Sequence, residues 1–308
     1  MIAALIISAG RTGRMDNFQP LAEVGTISAI QRVVMVFQLA GVKRIVVVCS
    51  NDISRFVAHM NVVYLSGNED AQMLDNVKIG LDYLSNKCTA AMITHVGVPL
   101  FSVETVQTLM SAQGTVCIPS HSGKAGHPML LRSEHFRTVL SYDGDGGLAG
   151  AVKASGLQCN YIEVVDEGVL ANVRNTQANE QLISGHSLME LRHDIKIRIA
   201  REKPFYGPGS HHLLQLTSET SSLREACRNM GISYSKGRKI IALMEQQFGE
   251  RVIESKQGGK AGGRSVVTEK GLELMRNYAE FCSEANHKVG ELFVKYFGDG
   301  DKRKSTNM

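Results

Sequence analysis

Residues 206–271 read YGPGSHHLLQLTSETSSLREACRNMGISYSKGRKIIALMEQQFGERVIESKQGGKAGGRSVVTEKG. Three short helical patterns follow one another, then a strand, a glycine-rich loop and a second strand. Ser222 is placed to cap the second helix, and Glu225, three positions on, would complete a capping box. Ala226 and Gly231 permit a tight turn and a close helix crossing. The third helix is expected over Ser233–Phe248. Ser233, Tyr234, Ser235, Lys236, Arg238 and Lys239 sit in its first turns, and Ile240, Ile241 and Met244, with Leu243 beside them, form its apolar side. A basic, hydroxyl-rich helix after a short turn has the layout of a helix-turn-helix with its reading helix. Strands expected over Val252–Ser255 and Ser265–Val267 enclose residues 256–264, KQGGKAGGR. The cations of that loop, Lys256, Lys260 and Arg264, suit a wing lying against phosphates, so DNA is the expected partner.

The segment from about Leu191 to Cys282 resembles the DNA-binding domain of the molybdate-responsive transcriptional regulator family. The residues that carry the resemblance are Phe205-Tyr206-Gly207-Pro208-Gly209, Gly231-Ile232-Ser233-Tyr234, Gly258-Gly259-Lys260-Ala261-Gly262-Gly263 and Thr268-Glu269-Lys270-Gly271. A glycine loop alone also fits a flexible linker; several matches in the right order imply a winged helix-turn-helix.

The chain has 308 residues, a length that favours two domains. Ser184-Gly185-His186-Ser187 is the most turn-like stretch between the two patterns, so domains are expected over 1–184 and 188–308. Residues 1–184 hold 13 Lys+Arg and 15 Asp+Glu, whereas 185–308 hold 21 and 15. The basic excess therefore lies where phosphate would need a counter-charge. Six scattered cysteines without metal-ligand spacing point to a reduced, cytoplasmic protein, and no apolar run is long enough for a membrane span. The start MIAALII reads as a first buried strand rather than a signal peptide, and the charged tail 298–304 as disordered.

Residues 1–184 alternate apolar runs with helical patterns. The runs are Ile2–Ile7, Ile45–Cys49, Val62–Leu65, Ala90–Val96, Val116–Ile118 and Tyr161–Val165; helices are expected over Ala29–Ala40 and Asp75–Leu84. This predicts a largely parallel sheet covered on both faces, with ligands at the carboxyl ends of its strands. The first run leads into Ser8-Ala9-Gly10-Arg11-Thr12-Gly13-Arg14-Met15, where Ala9, Gly10, Gly13 and Arg14 are candidates for a phosphate cradle. The run Gly144-Asp145-Gly146-Gly147 reads as a surface turn.

This half resembles the nucleotidyltransferase family that attaches cytidylyl or guanylyl groups to molybdopterin. The matching residues are Ile7-Ser8-Ala9-Gly10, Arg14-Met15, Ala40-Gly41-Val42, Gln72-Met73-Leu74, Val77-Lys78-Ile79-Gly80-Leu81, Pro99-Leu100-Phe101-Ser102 and Gly126-His127-Pro128. The resemblance implies a three-layer α/β, Rossmann-like nucleotidyltransferase fold and a nucleotide or molybdopterin-like ligand. It also implies a lysine and two magnesium-binding aspartates, at whose positions stand Gln19, Gly97 and Asn175. Asp143, Asp145 and Asp166 remain in the domain, but none preserves the motif spacing. Together with the winged helix-turn-helix, these features predict a DNA-binding regulator whose first domain senses a ligand. The rival expectation is a working transferase fused to a DNA-binding domain, and magnesium is the cofactor only under that rival.

A last helix is expected from Thr268 to about Tyr296. Leu272, Met275, Ala279, Cys282, Asn286, Val289, Phe293 and Tyr296 recur at spacings of three and four, a heptad-like seam that predicts a homodimer.

Overall fold

The computed structural model describes residues 1–10, 20–57, 59–172, 180–256 and 264–298. The chain divides into two compact units, Met1–Glu190 and Leu191–Met308. The first unit extends past the turn signal at 184 because His186 and Leu188 are buried in it. Its strands and helices, in chain order, begin with β1 Ile2–Ser8, β2 Glu23–Val24, β3 Ile27–Ser28, α1 Ala29–Leu39, β4 Arg44–Cys49 and α2 Asn51–Val57. There follow β5 Val63–Ser66, α3 Met73–Leu84, β6 Ala90–His95, α4 Val103–Ser111, β7 Val116–His121 and β8 Lys124–Ala125. The unit closes with β9 Met129–Arg132, α5 Phe136–Leu140, α6 Gly147–Ala154, β10 Cys159–Glu163 and α7 Glu180–Ser184.

The main sheet has the order β10-β7-β9-β6-β1-β4-β5, with β8 paired to β7. Ala3–Ile7 of β1 are all buried, so both faces of that strand are covered, as its uninterrupted apolar run requires. β1 pairs in parallel with β4 and β6. β9 runs antiparallel between β6 and β7, and the short β8 pairs antiparallel with β7. Ala4, Ile6, Val47, Met92 and Leu130 share one core with Ile30, Val33 and Phe37 of α1 and Val106 and Leu109 of α4. Local signals set the helix starts. Ser28 and Gln31 exchange a capping box at α1, and Ser102 Oγ accepts the Thr105 N–H at α4.

The second unit holds β11 Ile199–Ala200, β12 Pro204–Tyr206, α8 Pro208–Thr220, α9 Leu223–Asn229, α10 Tyr234–Phe248, β13 Ile253–Lys256, β14 Arg264–Val267 and α11 Glu269–Phe297. The alternation Ile195, Ile197, Ile199 suggests a longer strand than β11. Only the end of that run finds a paired neighbour, and the Ile197 carbonyl accepts the Tyr278 hydroxyl at 2.9 Å. Ser222 Oγ accepts the Glu225 N–H at 3.3 Å, which is the hydroxyl half of the expected box. The Ser222 N–H donates to Thr220 Oγ1 at 3.3 Å, taking the position of the expected return bond from Glu225.

The close crossing of α9 and α10 depends on Gly237. A Cβ added there would stand 2.2 Å from Cys227 Sγ, and Cys227 is buried. Gly237→Val is therefore expected to destabilise the second unit by about 2–3 kcal/mol through overpacking. A denaturation midpoint equal to that of the parent chain would show that the crossing yields without cost.

Gly271, Leu274 and Tyr278 are the buried residues of α11, whereas Ala279, Asn286 and Tyr296 of the expected seam are exposed. Tyr278, which packs edge-on against Tyr206 at 5.0 Å, fixes the side of the helix that faces its own unit. No described helix is long and apolar enough to cross a membrane.

Candidate functional site

A cleft of about 1340 Å3 opens on one face of the first unit's sheet. Ile7 of β1, Ile93 and His95 of β6, Ile118 of β7 and Met129 of β9 line it from the sheet. Ile7 and His95 are register partners at the carboxyl ends of adjacent parallel strands, the position where open α/β sheets take ligands. Gln72, Met73, Leu74 and Val77 line it from the start of α3. Gly146, Gly147, Leu148 and Val152 line it from α6. The Gly144–Gly147 run is thus more than a surface turn: Gly146, at φ 89°, caps α6 and brings that helix to the cleft.

Two histidines mark this cleft. The His95 and His127 rings meet edge to face, with centroids 4.9 Å apart and planes at 79°. The Gly97 N–H donates to His95 Nδ1 at 3.0 Å. Burial pushes the His95 pKa down to about 3, helped by its neighbour His127. Burial also lowers His127, to about 4, against an opposing pull from the Ile93 carbonyl. Both rings are therefore neutral near pH 7. His127 Nδ1 is buried without a hydrogen-bond partner among the described residues. Neither ring was singled out for chemistry by sequence reasoning. The available signal was a histidine interrupting the apolar run AAMITHV at the end of a strand.

The candidate phosphate residues divide. Ala9 is buried, and Gly10 adopts φ +101° directly after β1. A Cβ at Gly10 would lie 2.6 Å from Asn76 Nδ2 and 3.1 Å from Met73 Cα, so the position closes against α3. Neither is among the described residues that line the cleft. Gly13, Arg14, Gln19 and Asn175 lie outside the described residues.

The carboxylates do not assemble a magnesium site of the implied kind among the described residues. Gly97 offers no side chain, and its N–H is engaged by His95. Asp166 is committed elsewhere: it accepts the Ser102 N–H at 2.7 Å, the Thr105 hydroxyl at 2.6 Å and the Gly168 N–H at 2.9 Å. It anchors the start of α4. Asp143 and Asp145 are exposed.

In the second unit, Ser233, Tyr234, Ser235, Lys236, Arg238 and Lys239 are all exposed at the start of α10. Ser233 Oγ accepts the Lys236 N–H at 3.2 Å and caps the helix. Gly237, Ile241 and Met244 are buried on its other side. The Arg224 guanidinium stacks 4.8 Å from the Tyr234 ring centre, tying α9 to this end of α10. Lys256 and Arg264 are register partners at the loop end of the β13–β14 hairpin, and Arg264 is exposed. Lys260 lies outside the described residues.

A parallel-rich α/β sheet with a ligand cleft at its strand ends defines a nucleotidyltransferase-like first unit. The chain belongs to the MobA-like NTP transferase domain family, whose model matches residues 4–159. A nucleotidyl transferase from Methanothermobacter thermautotroptrophicus is similar over 60% of this chain and 96% of that one, at 18% identity and a TM-score of 0.51. At that identity the likeness is one of fold. A 4-diphosphocytidyl-2C-methyl-D-erythritol synthase from Anaerococcus prevotii is also similar, at 13% identity over 59% of this chain and 94% of that one, with a TM-score of 0.48. No curated protein matches the chain.

Proposed function

We propose that this chain is a cytoplasmic DNA-binding regulator whose nucleotidyltransferase-like first unit senses a ligand instead of turning substrate over. The observation that carries the reading is the face of α10. Its buried side holds Gly237, Ile241 and Met244, while Ser235, Lys236, Arg238 and Lys239 are left exposed in its first turns. Three helices followed by an antiparallel hairpin and a further helix support a winged helix-turn-helix arrangement. The pairing of Lys256 with Arg264 supports a wing. Both are cationic residue types on one expected wing, which suits a DNA phosphate. The resemblance of both halves points to molybdenum-cofactor metabolism as the setting. Selection of bound sites from random duplexes, followed by footprinting, tests the reading; no protected site at physiological salt would overturn it.

The expected catalytic deficit follows from the same residues. Nucleotidyl transfer stabilises charge developing on phosphate, and Gln19, Gly97 and Asn175 supply neither the lysine's charge nor the aspartates' carboxylates. Each lost group is expected to cost about two to three orders of magnitude in rate. Fast, magnesium-dependent pyrophosphate release from CTP or GTP by the unmodified chain would restore the transferase alternative. Under the sensor reading, Q19K, G97D and N175D together restore magnesium-dependent nucleotide binding before turnover.

A second copy of the chain is the proposed partner of α11. Phe281, Leu292 and Tyr296 are 55%, 52% and 68% exposed and fall along one side of the helix. This stripe lies beside the expected seam and shares Tyr296 with it. Asn286 is turned to its own backbone, its Nδ2 donating to the Cys282 carbonyl at 2.9 Å. Phe281→Asp with Leu292→Asp is expected to convert a dimer to a monomer in sedimentation at micromolar concentration. A parent chain that is already monomeric there would remove the dimer. The dimer would require operator half-sites about one helical turn apart, or a multiple of it.

A further inference from the structure

We infer that the β11–β12 hairpin of the second unit is a further contact for the DNA sugar–phosphate backbone, separate from α10 and from the β13–β14 wing. This rests on the DNA-binding reading and adds a surface that neither the reading helix nor the wing supplies.

The residues leading into the hairpin alternate by side. Ile195, Ile197 and Ile199 are half-buried, whereas Lys196, Arg198 and Ala200 are exposed, as an extended chain with one covered face requires. Arg201, Glu202 and Lys203 are exposed at the tip, where the Arg201 N–H donates to the Lys203 carbonyl at 3.4 Å. Residues 195–204, IKIRIAREKP, thus carry four cations and one acid. Lys196, Arg198, Arg201 and Lys203 form no ion pair among the described residues. Exposed cations without carboxylate partners leave a field that attracts a polyanion. With no Asn, Gln, Ser or Thr in the stretch, the surface offers charge for phosphates rather than a set of side chains for base edges.

The direction of the chain places that charge. The approach to the hairpin runs along α11, opposite to the helix. The His193 ring lies 5.7 Å from the Phe293 ring, and the Ile197 carbonyl accepts the Tyr278 hydroxyl at 2.9 Å. The chain therefore moves from the far half of α11 toward its start. Continued in that direction at about 3.3 Å per residue, residues 201–203 stand about 13–20 Å beyond Ile197. Glu269, the first residue of α11, stands about 14 Å from Tyr278 at about 1.5 Å per residue. The tip is thus level with the start of α11, into which β14 of the wing leads through Thr268. Hairpin tip and wing share one end of the unit, and β12 packs against the reading helix α10.

Gel retardation with the full chain tests this on two duplexes of about 40 base pairs, one carrying a site selected by the parent chain and one unrelated in sequence. Arg198 is left in place, because its Cγ would stand 2.9 Å from a Cβ at Gly207 and its stem packs there. K196Q/R201Q/K203Q is expected to weaken both duplexes by at least about tenfold and to lower the slope of log K against log salt by about two to three. The ratio of the two affinities is expected to stay within about threefold of the parent's, because phosphate contacts carry no sequence information. R201Q alone is expected to lower the slope by about one, and K196R/R201K/K203R, which keeps every charge, to bind like the parent. The helical circular-dichroism signal is the control for folding. Affinity and slope unchanged in both glutamine variants, while the parent binds its selected site, would overturn the hairpin contact and leave the regulator standing. Weakening of the selected duplex alone, at an unchanged slope, would overturn it too. A parent chain that retards neither duplex overturns the regulator reading and this inference with it.

Discussion

Alanine at Lys236, Arg238 and Lys239 together is expected to remove specific DNA binding by the full chain. The three side chains are exposed in the first turns of α10, while the residues that hold the helix in its unit lie on its other side. Their removal should therefore spare the fold, and the helical circular-dichroism signal is the control. A side chain that reaches a base edge contributes about 1–3 kcal/mol of discrimination, and each phosphate contact adds about 0.9 to the salt slope. Loss of all three is expected to weaken a specific site by at least about a hundredfold. Arg264→Ala should act differently. It removes one wing cation, so all sequences weaken alike and the slope of log K against log salt falls by about one. Lys260→Ala is expected to do the same. Retardation within threefold of the parent in the triple variant, with the helix signal intact, would end the assignment of α10 as the reading helix.

Acid is expected to destabilise the first unit well before its carboxylates titrate. The folded-state pKa values of His95 and His127 lie near about 3 and about 4, below the ordinary 6.5. In the unfolded chain both rings take up protons as pH falls through 6.5, whereas in the folded chain they do not. Below 6.5 the unfolded state therefore binds more protons, and stability falls with pH until the folded-state values are reached. At pH 5 the loss is about 2 kcal/mol for each ring, so about 4 kcal/mol for the pair if they act independently. That is a large part of the 5–15 kcal/mol typical of a domain. His186, also held low chiefly by burial, acts in the same direction in this unit, as His211 does in the second. Urea midpoints at pH 7.5 and pH 5.0 measure the effect, and His127→Gln should flatten the dependence. Equal midpoints at the two pH values in the parent chain would show that the rings are not held neutral.

Much of the architecture is legible from local pattern. Strands buried on both faces must be apolar throughout, and helices between them must recur at 3.6 residues, so IAALII, VVVC and AAMITH announce a covered sheet. Helix starts are equally local. Ser222, Ser233 and Thr268 each accept a backbone N–H three residues ahead, a bond that depends on neighbouring residues alone. The exposure of the α10 cations follows from the same periodicity, because positions opposite Ile241 and Met244 face away from the packed side.

What tertiary structure alone decides is non-local. His95 and His127 are 32 positions apart, and they meet because β9, directly after His127-Pro128, pairs antiparallel with β6. MLLR is too short a run to reveal that insertion. Asp166 could be counted among spare metal ligands until its carboxylate is found anchoring α4 across 64 residues. Gly237 reads as an ordinary helix glycine until Cys227 Sγ occupies the space beside it. On α11, heptad spacing indicates an apolar helix, but the Tyr206 contact selects Leu274 and Tyr278 as its buried side. Periodicity specifies that a face is apolar; the register of a distant strand or helix decides what that face meets.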